Sequence, residues 1–289
     1  LAKKEGVDVI LSGDENLIKS YLGNEKIPVI NYPQVISMDD DPAKAIRSNK
    51  DSSIIGALNL VKEKKADAVF SAGSTGATLI GAISVLGKIK GVTRPTIASV
   101  LPGKEKEVIL VDSGANLEVK PKVLYQFAIM GSKLSELLFD IENPRIGLIN
   151  NGEESSKGRE LEKATFKLLK SSQLNFIGNV EGKDFANSKV DVFVTDGFTG
   201  NVVLKTLQGV AKLQQDLISK SLKENLFKPL LVPVKNAISP VKSMLNPNST
   251  NGSYLLGVNG LVIIGHGSSN SEAIKNALLF TSRAVEKRF

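Results

Sequence analysis

The chain contains no cysteine, no tryptophan and a single histidine, His266. Without cysteine it cannot form disulfides, use a thiol nucleophile or hold zinc or an iron–sulfur cluster on thiolates. With one histidine it cannot build a site that needs two imidazoles. The lack of cysteine fits a reducing cytoplasm. Aromatic residues make up only 5% of the chain, and no basic stretch is interleaved with rings in the manner that stacks bases, which argues against nucleic acid as a partner. No run of about 18 uncharged apolar residues is present, so no segment reads as a bilayer span. No signal-peptide pattern is visible. The sequence opens at Leu1 inside what reads as the end of a helix, and an N-terminal piece is expected to precede it.

What is present is ordinary for a soluble globular protein: 289 residues, 42% hydrophobic and 23% charged. That length supports one large α/β domain or two. The net charge of +7 and pI of about 9.3 favour phosphates, acidic proteins or anionic lipid as partners.

Short apolar runs alternate with longer helical patterns. Val7–Leu11, Ile27–Asn31, Asp67–Ser71, Glu107–Asp112, Arg145–Asn150, Val190–Thr195 and Gly260–Gly265 read as strands. Their near-continuous hydrophobicity predicts a mostly parallel sheet covered on both faces. A helix is expected after Asp51, another from Pro121, and a last one led by a capping box from Ser269 to Glu272. Asp40 and Asp41, ahead of Pro42, are expected to initiate a further helix. This alternation defines a doubly wound α/β architecture. From Val210 to Asn251 the pattern breaks. No strand is expected there, and Pro229, Pro233 and Pro240 divide a helical, amphipathic stretch.

Ligands of open α/β sheets bind beyond the carboxyl ends of the strands. Five such ends combine glycine with small polar residues: Ser71–Gly76, Asp112–Asn116, Asn150–Glu154, Asp196–Asn201 and Gly265–Ser269. A shared pocket is expected from them. Gly197 and Gly200 frame Thr199 and Asn201 at a helix start, and Gly73, Ser74, Thr75 and Gly76 precede another helix. Such starts suit phosphate oxygens because glycine admits the backbone and the helix offers unpaired N–H groups. The pattern is neither a Walker loop nor the dinucleotide GxGxxG. Arg47 and Lys50 read either as anion contacts or as an exposed helix face. Glu153 and Glu154 read either as bases or metal ligands, or as acids in the first turn of a helix. His266, between glycines at a strand end, is expected to face the pocket. No G-x-S-x-G elbow is present, so phosphate itself is the expected attacking reagent, positioned by the protein while N–H groups stabilise the oxyanion.

Eight stretches, SMDDDPAKAIRSNKDSSI, SAGSTGATLIGAI, LGKIKGVTRPTIAS, DSGANLEVKPKVLYQFAIMGS, NNGEESSKG, FIGNVEGKDF, DGFTGNVVLKT and LGVNGLVIIGHGSS, resemble in order the motifs of the PlsX phosphate acyltransferases of bacterial phospholipid synthesis. The resemblance runs from about Gly6 to the C-terminus. It implies conversion of acyl-(acyl carrier protein) and inorganic phosphate to acyl phosphate and free carrier. It also implies a single three-layer α/β/α domain over 1–289, related to phosphotransacetylases and the isocitrate/isopropylmalate dehydrogenase group, with 210–251 as a helical protrusion. A homodimer without metal or organic cofactor is implied too, acting in the cytoplasm at the inner face of the membrane beside an acyltransferase that consumes the acyl phosphate. The family pattern begins with an Asp-Ala-Met-Gly-Gly-Asp loop that is absent here, and Ser74 stands where the family usually has Asn.

On this reading, phosphate binds among Gly73–Gly76 and Gly197–Asn201, and Asp112, Gly114, Asp196, Arg47 and Lys50 are expected among the substrate- and phosphate-binding residues. Asn116 or Asn201 stabilises the tetrahedral oxyanion, and Lys157 or His266 assists the departing thiolate. Leu226, Phe227, Leu230 and Leu231 with Lys228 and Lys235 are expected to meet the membrane or the carrier; a dimer interface or helical lid is the competing explanation. Two alternative functions are a phosphotransacetylase-like enzyme using acyl-CoA and a non-catalytic membrane-associated scaffold.

Overall fold

The computed structural model describes residues 5–224, 252–267 and 269–287. A two-stranded parallel sheet, β1 (Leu11–Gly13) and β2 (Val29–Asn31), flanks the molecule with α1 (Glu15–Leu22). Then follow α2 (Pro42–Ser48), α3 (Ser53–Lys62), β3 (Ala68–Ser71), α4 (Thr75–Val85), β4 (Thr96–Leu101), β5 (Val108–Val111) and α5 (Pro121–Phe139). The second half contains β6 (Ile146–Ile149), α6 (Glu160–Lys170), β7 (Phe176–Val180), β8 (Val192–Val194), α7 (Gly197–Glu224), β9 (Ser253–Leu256), β10 (Leu261–Ile264) and α8 (Ser271–Glu286).

Helix starts follow local chemistry. Asp41 caps α2 by accepting from Lys44 N at 2.8 Å, with Pro42 supplying the first helical position. Ser74 caps α4, and Pro121 opens α5. The cap of α8 is Asn270, which accepts from Ala273 N at 2.9 Å, rather than the expected Ser269.

The main sheet has eight strands in the order β3-β10-β9-β4-β5-β8-β6-β7. Four pairings are parallel (β3 with β10, β5 with β8, β8 with β6, β6 with β7), and the three central ones are antiparallel. Alternate residues of the strands point to opposite faces. Ala98, Val100, Tyr254 and Ile263 pack with α5, α6 and α8 on one side. Ile97, Leu255 and Val262 pack with α2, α3 and α4 on the other, where α7 adds Val203 and Leu204 over Leu110 and Phe193. The expected three-layer α/β/α architecture with a mostly parallel sheet is observed.

Three strands lie outside the sequence expectation: β4, β7 and β9. Two of them produce the central antiparallel pairings, and this changes the geometry of the sheet. Because β3 and β10 run opposite to β5, β8 and β6, the carboxyl ends of the two halves do not share one edge. They meet instead in the middle. Ser71, the last residue of β3, lies in one cross-strand row with Ile264, Ser253, Ser99, Leu110 and Phe193, and Leu110 and Phe193 are each one residue from the end of their own strand. Strands β4 and β9 span this junction. Val7–Leu11 is displaced in the structure to Leu11–Gly13. Residues 210–224, expected to begin a separate insertion, continue α7 without a break; the remainder of that stretch, including Leu226, Phe227, Lys228, Leu230, Leu231 and Lys235, lies outside the described residues.

One ion cluster ties the amino ends of β6 and β8. Asp191 is 1% exposed and accepts from Arg145 N at 2.7 Å, Arg145 Nε at 3.1 Å and an Arg145 guanidinium nitrogen at 3.0 Å, while Lys106 Nζ stands at 2.7 Å. Burial pushes its carboxyl pKa up, but the hydrogen bonds from Arg145 and Lys106 outweigh burial and hold it below the ordinary Asp value. A depressed folded pKa contributes stability above the unfolded value, near pH ~4, that disappears as pH falls through the folded one. Asp191→Asn is therefore expected to lower unfolding free energy by about 1–3 kcal/mol at neutral pH. In denaturant titrations the gap from wild type should close below about pH 4; a gap that persists in acid would contradict this account.

Candidate active site

A cavity of about 360 Å³ opens over the junction of the two half-sheets, between the start of α4 and the first turns of α7. Its floor is Ile97 and Ser99 of β4 with Ser253 of β9. Thr75 and Gly76 come from α4, Ser113–Ala115 from the loop after β5, and Asn201, Leu204, Lys205 and Gln208 from α7. Gly265, His266 and Ser269 close it beyond β10. Phe70, Val100, Leu101, Ala273 and Ala277 give one part of the wall an apolar character. Of the five loops expected to share this pocket, four do. The Asn150–Glu154 loop is absent from its lining.

The loop after β5 is built by Asp112, which is fully buried. Its carboxylate accepts from Gly114 N at 2.9 Å, from Ala115 N and Asn116 N at 2.8 Å each, and from Asn116 Nδ2 at 2.8 Å. Burial raises the Asp112 pKa, and these four donors oppose the rise. Asp112 is thus a scaffold for the loop rather than a ligand contact. The Asn116 amide is equally committed, because its second hydrogen goes to Pro95 O at 2.8 Å. Both of its donors are used, so Asn116 has none to offer an oxyanion.

The start of α7 differs from the expected open anion pocket. Gly197 N donates to Asn116 O at 2.7 Å, and Thr199 N donates to Asp196 Oδ1 at 2.7 Å. The other Asp196 oxygen is held by Arg159, which also binds Glu162. A Cβ on Gly197 would sit 2.7 Å from backbone atoms of Asn116, and one on Gly200 would overlap the Asp112 carbonyl oxygen. These glycines make room for protein backbone, not for ligand. Asp196, Gly197, Thr199 and Gly200 do not line the cavity. The next turn does, through Asn201, whose side chain lies against Gly114; there φ is +139° and a Cβ would approach the Asn201 amide to 3.0 Å.

The start of α4 is the open one. Ser74 caps Ala77 N, and Gly73 N is taken by Ser71 Oγ at 3.3 Å. Among the described residues the Thr75 and Gly76 N–H groups meet no acceptor, and both residues line the cavity. The remaining expected residues lie elsewhere. Arg47 is exposed in the last turn of α2, where a cation suits the helix dipole. Lys50 Nζ donates to Ile46 O at 3.4 Å, and neither Arg47 nor Lys50 lines the cavity. Lys157 folds over Gly152, away from the cavity. Glu153 pairs with Lys189 at 3.3 Å in a loop that precedes α6, not in a helical first turn. His266 is exposed and borders the cavity, as expected.

Sequence reasoning misses Lys205, although it stands four residues after Asn201 and so on the same face of α7. It misses Ser99 and Ser253 because it misses their strands. Among the described residues no group of three or more His, Asp or Glu side chains converges as a metal site requires.

Comparisons with known proteins place the chain in a family. A family model described as "Fatty acid synthesis protein" matches residues 1–289. A phosphate acyltransferase of Halothermothrix orenii is 42% identical across 98% of this chain and 87% of its own length. One from Desulfitobacterium hafniense is 44% identical, across 98% and 86%. The chain belongs to the phosphate acyltransferase family, a family of transferase enzymes. Among solved structures, the EutD phosphotransacetylase of Staphylococcus aureus shares the fold with a TM-score of 0.60 at 17% identity, across 99% of this chain and 89% of that one. A Streptococcus pyogenes phosphotransacetylase does so at 0.57, also at 17% identity, across 93% and 83%.

The α7–loop contact generates a direct test. Gly200→Ala is expected to destabilise the fold by about 3 kcal/mol or more, because the Asp112 carbonyl it would strike is fixed backbone. Thermal unfolding followed by circular dichroism reads this; a melting temperature equal to wild type would show that α7 does not rest on the loop as described.

Proposed function

We propose that the chain transfers an acyl group from an acyl-(acyl carrier protein) thioester to inorganic phosphate, releasing acyl phosphate and free carrier in phospholipid synthesis. The observation that carries this reading is the combination in one cavity of two unpaired N–H groups at the start of α4 with the Lys205 ammonium and an apolar wall. A helix N-terminus and a cation suit a phosphate dianion, and the apolar wall suits the acyl chain. One phosphate oxygen attacks the thioester carbonyl, the C–S bond breaks, and the thiolate leaves. No general base is required, since the nucleophile arrives ionised. Asn201 supplies an N–H donor for the oxyanion, and His266, at the rim, delivers a proton to the departing sulfur. Asn116 and Lys157 have no part in this scheme because of where they lie.

The basic surface fits an acidic carrier. Along α7, Phe198, Val202, Val210, Leu213 and Leu217 are all about half exposed or more. Such an apolar stripe supports use of this helix in a homodimer, and in peripheral attachment to a membrane through the segment that follows it. Among the described residues no helix is long and apolar enough to cross a membrane.

Mass spectrometry of mixtures with phosphate and either acyl-carrier thioester or acyl-CoA tests the reaction. Acyl phosphate should accumulate only with the carrier thioester and only when phosphate is present. Its absence there would overturn the proposal, and formation from acyl-CoA alone would reassign the donor. Lys205→Ala should raise KM for phosphate about tenfold, the value of one charge-assisted contact, with the fold intact. His266→Ala should lower kcat about a hundredfold or more with little change in that KM. Unchanged kinetics in both variants would remove these residues from the scheme.

A further inference from the structure

The cavity floor carries three serine hydroxyls in one row, contributed by three separate segments. Ser113 Oγ donates to Ile97 O at 3.2 Å, the same carbonyl that accepts from Ser113 N at 2.8 Å. Ser99 Oγ lies 2.8 Å from Ser113 Oγ and 2.8 Å from Ser253 Oγ. A carbonyl only accepts, so the single hydroxyl hydrogen of Ser113 is committed at that end. The Ser99–Ser113 bond must then use the hydrogen of Ser99, and Ser253 must give its hydrogen to Ser99. The row therefore runs in one direction, and its last member presents oxygen lone pairs, not an O–H, to the cavity. Ser99 and Ser113 are 4% and 6% exposed, so solvent does not compete for the two inner bonds. By contrast, Thr75 N, Gly76 N and Lys205 offer only donors.

We infer that Ser253 is a phosphate-selecting acceptor and that Ser99 is the positioning residue that holds it in that role. The inference rests on the reading that phosphate is the nucleophile. Slightly above neutral pH phosphate is mainly the monohydrogen dianion, with one P–OH and three bare oxygens. Sulfate matches it in shape and charge but has no hydrogen. A cavity with donors for bare oxygens and one acceptor for the P–OH accommodates phosphate fully. With sulfate, lone pairs of Ser253 and of the anion face each other, and that mismatch is the means by which sites built around hydrogen bonds reject close analogues. Arsenate has the proton inventory of phosphate and should follow it. The orientation also serves the reaction: holding the protonated oxygen against the floor turns the bare, more nucleophilic oxygens toward the thioester carbonyl.

Calorimetric binding of phosphate, arsenate and sulfate to the full chain at neutral pH tests this. Wild type should bind phosphate and arsenate alike and sulfate about tenfold more weakly. Ser253→Ala removes the acceptor, and Ser99→Ala frees Ser253 to rotate and donate, so each should shrink that gap to about threefold or less. Ser99→Thr, which keeps the hydroxyl, should preserve it. A merely structural role for Ser99 would weaken all three anions together and leave their ratio alone. Equal wild-type affinity for sulfate and phosphate, no binding of any of the three, or an unchanged ratio in both alanine variants would each overturn the inference. Should Ser99→Ala fail to fold, Ser253→Ala alone decides it. Acyl phosphate formation measured in parallel keeps the two ideas apart. Turnover without anion selectivity would remove the role of Ser253 and leave the reaction standing, whereas selectivity without turnover would do the reverse.

Discussion

A buried carboxylate with four hydrogen-bond donors aimed at it organises this molecule. Asp112 gathers three consecutive backbone N–H groups and the Asn116 amide. In doing so it bends the chain after β5 back over β4, where Ser113 N reaches Ile97 O. The cost of burying the charge is visible in its raised pKa, and the four donors offset it. What the fold gains is a rigid turn that carries α7. Asn116 O receives the first N–H of that helix, and Gly200 rests on the Asp112 carbonyl. The direction of α7 is thereby fixed, and with it the positions of Asn201 and Lys205 over the cavity.

The second constraint is the reversal of the sheet. In a wholly parallel sheet all the carboxyl ends would lie along one edge, and a site would form outside it. Here β4 and β9 insert antiparallel pairings, so two half-sheets point their carboxyl ends at each other. The site forms on a sheet face, with strand side chains as its floor. That is why Ser99 and Ser253, from the strands themselves, can take part in it, while the Asn150–Glu154 loop, on the flank beyond β8, does not reach it.

Much of the fold is legible in the sequence, for identifiable reasons. Strands buried on both faces, such as Val108–Val111 and Val192–Val194, leave continuous apolar runs rich in β-branched residues. The Pro121 and Asp41-Pro42 starts have few conformational alternatives. The strands that escape a sequence reading carry weaker signals. Thr96–Leu101 is hemmed by Pro95 and Pro102 and mixes Thr, Ala and Ser with its apolar residues, and Ser253–Leu256 is four residues between glycines. The candidate site is legible to the level of loops but not of side chains. Sequence shows that Asp112, Asn116 and Asp196 are polar residues at strand ends. It does not show whether their atoms face a ligand or one another, since that depends on which backbone N–H groups the loop brings within reach.

The two helix starts make the same point from opposite sides. In sequence, SAGSTG and DGFTGN look alike: each places glycines, a hydroxyl and a small polar cap before an apolar helix. In the structure they differ in who occupies the N–H groups. At α7 the Gly197 and Thr199 donors meet Asn116 O and Asp196, and Arg159 is shared between the Asp196 and Glu162 carboxylates. At α4 a neutral serine caps the Ala77 donor, and among the described residues the N–H groups of Thr75 and Gly76, two residues that line the cavity, meet no acceptor. An anion would meet a carboxylate at the first and an uncompensated helix dipole at the second. On electrostatic grounds the proposed phosphate position belongs to α4, with Lys205 of α7 also lining the cavity. The glycines of α7 act on packing instead, letting a helix approach a loop closely enough to set that lysine at the cavity.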